Sequence, residues 1–194
     1  TLPATHLFYN AEVSAVRYPD KPFLLFYDTA ITFAEFRQEA EHIAGYLQQV
    51  CGVRAGDRVL LYMQNSPQWI LAFYGILRAN AVVVPVNPMN LTDELRHYAH
   101  DSGATVAFVP QDLHAQAQPL VNVAGGEGNL QHLIVAAYSD YLQMPTDLPV
   151  PAFVSAPRQA IDAPGVTLWA DMLAQQRTPG PLTAGPDDLC VMPY

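Results

Sequence analysis

Basic residues are scarce in this chain. Nine Lys and Arg stand against eighteen Asp and Glu over 194 residues, a formal net charge of −9. Nucleic-acid backbones are bound by clustered Lys and Arg, so the deficit argues against nucleic acid as a partner. It gives no attraction to an anionic membrane surface either. Cysteine is scarcer still: Cys51 and Cys190 lie far apart, with no metal-type spacing. Such sparing use suits a reducing, cytoplasmic setting. No apolar run approaches the ~18 residues of a membrane-spanning helix, so no integral membrane segment is expected. The first residues carry no charged-then-apolar export pattern.

Phosphate-binding strings are missing as well. A Walker-type loop needs glycine-rich backbone followed by Lys and Ser or Thr, and no such string occurs. The cluster Gly125-Gly126-Glu127-Gly128 lacks the spaced glycines of a dinucleotide fingerprint. Its carboxylate would repel phosphate, so it reads as a solvent loop. His97 and His100 stand at i and i+3 beside Asp101, a spacing that two metal ligands can use. A metal site needs further ligands and a supporting shell, and none is identifiable, so a solvated helix face is expected.

The thiols fare no better as nucleophiles. Cys190 falls in an apolar run and reads as a buried small hydrophobe, and Cys51 has no local basic group to favour its thiolate. Asp187-Asp188 are adjacent, and neighbours on a strand point to opposite faces, which rules against a working carboxylate pair. Trp69, Phe73 and Tyr74 recur at helical spacing and read as core rather than a ligand box. No catalytic, cofactor-binding or metal-ligating residue is assigned from the sequence.

What the chain does have is apolar alternation. Hydrophobic residues make up 51% and charged residues 14%, with mean hydropathy +0.09, rich for a free-standing domain. Between residues 56 and 109, short apolar runs alternate with helical patterns. Runs at 58–63, 82–86 and 105–109 read as strands buried on both faces, which is the signature of a parallel sheet covered by helices. Ser66-Pro67 starts a helix over 67–78 that is apolar nearly all round and expected to be deeply buried. A third helix begins at Thr92, with Asp93 and Glu94 in its first turn, and stops at Gly103.

Upstream, residues 23–27 and 31–33 read as a hairpin leading into a helix opened by a Thr32/Glu35 capping box. Downstream, a weaker helix over 113–123 and a strand at 132–135 continue the alternation. Prolines at 145, 149, 151, 157 and 164 make 144–165 an irregular, Pro-rich loop. A short amphipathic piece covers 168–173, and a last buried strand begins near Leu189. The fold class is therefore α/β, with a largely parallel, doubly wound sheet and flanking helices. Such sheets hold ligands at their strand ends.

The order of segments resembles a known family. Tyr18-Pro19-Asp20-Lys21-Pro22, Ile31-Thr32-Phe33-Ala34-Glu35-Phe36 and Gly52-Val53-Arg54-Ala55-Gly56-Asp57-Arg58-Val59 are similar to the start of the AMP-forming acyl-CoA synthetases. Met63-Gln64-Asn65-Ser66-Pro67, then 77–88 and 95–104, continue the likeness. Residues 187–194 resemble the strand that in this family feeds a phosphate-binding loop. The resemblance implies that 1–194 is an incomplete N-terminal part of the large domain, a scaffold expected to be inactive alone.

The parent enzyme would use ATP, Mg2+ and CoA on a small-molecule carboxylic acid, most like bacterial medium- or long-chain fatty acyl-CoA ligases. A cytoplasmic or membrane-peripheral location and self-association as a homodimer are compatible with it. Two alternatives stay open: a self-contained flavodoxin-like binding or interaction module, and an adenylation domain that loads a carrier protein.

Overall fold

A computed structural model describes residues 5–122 and 129–194; the glycine cluster at 125–128 lies outside them. Helix α1 (Phe8–Arg17), which the sequence reading did not anticipate, buries Phe8, Ala11 and Ala15. Strands β1 (Pro22–Phe26) and β2 (Thr29–Thr32) pair antiparallel, with Phe26 opposite Thr29. Tyr27 and Asp28 make the turn, both with positive φ (45° and 65°), the mirror-image turn whose twist suits a two-residue hairpin.

Helix α2 (Phe33–Gln49) follows at once. Its capping box is complete: the Glu35 amide donates to Thr32 Oγ1 (3.2 Å) and the Thr32 amide donates to Glu35 Oε2 (2.8 Å). The Thr32 amide and the Thr32 hydroxyl (2.8 Å) both donate to the Glu35 carboxylate and hold it below its usual range.

The large sheet comes from β3 (Arg58–Tyr62), β4 (Val82–Val86), β5 (Val106–Pro110), β6 (His132–Ala136) and β7 (Val166–Leu168), in spatial order β4-β3-β5-β6-β7. Every pair is parallel, with Val59 opposite Val83 and Val106. Helix α3 (Pro67–Arg78) joins β3 to β4, and α4 (Thr92–Ser102) joins β4 to β5. Gly103 ends α4 in the left-handed region at φ 67°.

Side chains alternate strictly between two cores. Val59, Leu61, Val83, Phe108 and Ile134 face one side with α2 and α3. Leu60, Tyr62, Val84, Val109 and Leu133 face the other side with α4. A period of two on a doubly covered sheet produces this sorting, and it explains why the runs carry no polar alternation. Each fully buried Leu or Val contributes roughly 1.5–3 kcal/mol relative to exposure.

Several expectations are corrected. The weak helix shrinks to α5 (His114–Ala117) and a 3-10 turn at Gln118–Leu120. The Pro-rich loop contains a single helical turn, α6 (Ala152–Ser155), preset by Pro151 at φ −58°. The 168–173 piece becomes β7 followed by α7 (Trp169–Ala174). On α3, Leu71, Ala72 and Ile76 are fully buried, whereas Trp69, Ile70, Phe73 and Tyr74 are only partly covered.

At residues 187–194 the expected strand is limited to one parallel bridge between Val83 and Val191. Cys190 is exposed rather than buried, because among the described residues no element covers the outer face of that run. No helix among the described residues is long and apolar enough to cross a membrane.

Candidate functional site

A doubly wound sheet offers a ligand crevice at the carboxyl ends of its strands, where successive connections diverge to opposite sides. Here that point lies between β3, whose connection runs to β4, and β5, whose connection runs to β6. The protein's own groups occupy it.

The amide of Gln64, two residues past the end of β3, donates to the Tyr138 hydroxyl (2.8 Å). Tyr138 arrives from the 3-10 turn Tyr138–Tyr141 after β6 and is fully buried, and burial pushes its hydroxyl well above the usual tyrosine range. At the start of α3, Ser66 Oγ already accepts the Trp69 amide (3.1 Å) and Pro67 has no N–H to offer. Fully buried Gln68 donates to the Ala137 carbonyl (2.8 Å).

The Pro-rich loop then closes over β5 and β6. Gln111, just past β5, donates to the Pro157 carbonyl (3.1 Å) and accepts the Gln159 amide (2.9 Å). Ser139 Oγ donates to the Ala156 carbonyl (2.7 Å), and Arg158 pairs with Asp140 through two bonds of 3.0 and 2.8 Å. Phe153 meets the Tyr138 ring edge-on at 5.9 Å. At this end, then, the Gln64 amide and the Gln68, Gln111 and Ser139 side chains are already engaged by the protein's own groups.

A cleft of about 420 Å³ opens at the opposite, amino end of β3 and β4, bordered by His6, Phe8, Arg58, Asn80, Asp188 and Cys190. It is large enough for a small ligand. Its two well-placed polar groups are already engaged, however. Arg58 donates to the Ser102 and Gly56 carbonyls, and Asn80 holds the passing chain at Pro181, Thr183 and Ala184.

The residues weighed from the sequence remain scattered. His97, His100 and Asp101 are exposed on α4, and no group of three or more His, Cys, Asp or Glu converges among the described residues. Burial pushes the Cys51 thiol up to about 12, so its thiolate is disfavoured at neutral pH. Asp188 accepts the Gly185 amide (2.7 Å) in a turn, while Asp187 is exposed.

One polar cluster went unread: Tyr141 donates to Glu39, and Trp169 Nε1 donates to the Tyr141 hydroxyl (3.2 Å). Burial pushes Glu39 above the usual carboxylate range. More than a hundred residues separate Glu39 from Tyr141, and no local pattern connects them.

A family model described as AMP-binding enzyme matches residues 11–194. The long-chain-fatty-acid–CoA ligase of Salmonella typhimurium is 35% identical over 131 residues, covering 68% of this chain and 23% of that protein. The Mycobacterium tuberculosis fatty acyl CoA synthetase superposes with a TM-score of 0.59 at 26% identity, over 71% of this chain and 27% of that one. The anthranilate CoA ligase AuaEII, solved with anthranoyl-AMP, covers 98% of this chain and 32% of its own, with a TM-score of 0.76 and 22% identity. That last likeness speaks for the fold alone.

Proposed function

The chain belongs to the AMP-binding enzyme family, and on that premise we propose that it is the framework portion of an AMP-forming fatty acid:CoA ligase. The observation that carries the acyl class is the 35% identity to a long-chain-fatty-acid–CoA ligase. The chain spans less than a quarter of that relative's length, so the reaction is assigned to the whole enzyme.

In the reaction proposed, a carboxylate oxygen attacks the α-phosphorus of ATP. The bond to the β-phosphate bridging oxygen breaks, giving an acyl-adenylate and pyrophosphate. The CoA sulfur then attacks the acyl carbon, and AMP leaves with the electron pair. Oriented donors around the phosphates would carry the charge stabilisation.

This chain's described residues offer no convergent ligand set for Mg2+. Its part is to hold, at the β4 edge of the sheet, the run 190–194 and whatever chain that run leads into. The engagement of Gln64, Gln68 and Gln111 by the protein's own groups at the strand ends supports this division of labour, and the chain by itself is expected to be inactive.

The test is ATP–pyrophosphate exchange by the full-length protein across a series of straight-chain and aromatic carboxylic acids. Exchange dependent on medium or long acyl chains is the expected result. Exchange confined to aromatic acids would overturn the acyl assignment, and none with any acid would overturn the ligase reading.

A further inference from the structure

We propose that the last turns of α4 form a docking cleat, Tyr98 and Asp101, that seats Tyr194 and so sets the register of residues 190–194 on the free edge of β4. The backbone pairing at that edge is slight. Val83 N donates to the Cys190 carbonyl (2.9 Å) and Met192 N donates to the Val83 carbonyl (2.8 Å), with no second bridge. A single bridge specifies register weakly, and a slip of one residue would turn every side chain to the other face.

Side chains supply what the backbone lacks. Met192 packs against the core that contains Leu60 and Tyr62. The Tyr194 ring lies 4.7 Å from that of Tyr98, tilted by 33°, and its hydroxyl donates to Asp101. Tyr98 is itself fixed, its hydroxyl accepting from Asn90 Nδ2 (2.9 Å). Upstream, Asn80 grips the same chain: its Oδ1 accepts the Thr183 (2.7 Å) and Ala184 (3.0 Å) amides, and its Nδ2 donates to the Pro181 carbonyl (3.1 Å). The chain is therefore held on both sides of its single bridge to Val83.

Asp101 is the informative residue because it is locally misplaced. α4 carries Asp93 and Glu94 in its first turn, where the helix dipole favours anions. Asp101 stands in the last turn, where the same dipole opposes a carboxylate. A residue that works against its own helix points to a constraint from elsewhere. Here that constraint is the Tyr194 hydroxyl, which the Asp101 contact pushes up to about 12. Resting on the functional reading above, Tyr98 and Asp101 are positioning residues: they touch no substrate but fix where residues 190–194 lie along β4 in the ligase.

Amide hydrogen exchange on the full-length protein tests the cleat itself. Asp101→Ala should lower protection of the Met192 and Val83 amides about fivefold, leaving β5 and β6 unchanged. Asp101→Asn, which can still accept from the tyrosine hydroxyl, should restore most of it. Unchanged Met192 protection in Asp101→Ala overturns the cleat. So does an equal loss across the whole sheet, which would make Asp101 a general stability residue.

In the full-length ligase, Asp101→Ala should raise the KM for ATP about threefold or more with the carboxylate KM unmoved. A lost Met192 protection with an unmoved ATP KM overturns the positioning role. A wild-type protein that forms no adenylate overturns the functional reading instead, and the amide result then decides the cleat alone.

Discussion

Gly45 lies where α2 is crossed by the chain that follows α7, and a Cβ there would overlap the Arg177 carbonyl. Backbone cannot retreat as a flexible side chain can, so Gly45→Ala should cost roughly 1–3 kcal/mol, read as a lower urea midpoint. A midpoint equal to wild type would mean that the Arg177 crossing is not tightly packed. Glu39 gives a pH-dependent counterpart. Burial raises its folded pKa, so the folded state holds the proton better than the unfolded state does. The stability this contributes is present in acid and lost as pH rises through the folded value. Glu39→Gln removes the titration while keeping an acceptor for the Tyr141 hydroxyl. The Tm of the variant minus that of wild type should therefore climb between about pH 4 and about pH 7. A flat or falling difference would remove Glu39 as the source. Neither residue was legible in the sequence, because Arg177 and Tyr141 reach them only through the tertiary fold.

The Thr32–Glu35 box belongs to the scale of the element, and there the sequence was readable. A hydroxyl residue followed three positions later by Glu, just ahead of an apolar helical stripe, needs no distant partner to be recognised. Thr32→Ala should cost about 1 kcal/mol by urea denaturation, with α2 the first helix to lose amide protection. A loss spread evenly over the sheet would argue against a cap effect. The doubly buried strands were equally plain, since Val82–Val86 and Val106–Pro110 are too short and too apolar for other uses. α1 was legible but missed: Phe8, Ala11 and Ala15 stand at helical spacing on its buried side. β7 escaped because it has only three residues, all partly buried. The half-covered face of α3 failed for the opposite reason. An all-round apolar helix signals burial, but Trp69 and Phe73 stack on each other at 5.3 Å instead of sinking into the core.

At the scale of the whole molecule, the sheet order and the closure of its crevice have to be taken together. The order β4-β3-β5-β6-β7 creates a strand-end crevice of the kind that holds nucleotides. Tyr138 and the loop around Pro157 fill it with the protein's own groups. The sequence showed the sheet and the missing phosphate strings, but not the plug. Tyr138 and Gln111 look like ordinary residues after their strands until the Pro-rich loop folds back on them. As proposed framework, this chain is expected to bind no nucleotide by itself. Calorimetric titration of the 194-residue chain with MgATP tests that claim most directly. No saturable heat is expected up to about millimolar ATP, the range for absent site contacts. Stoichiometric binding at about micromolar affinity would contradict it.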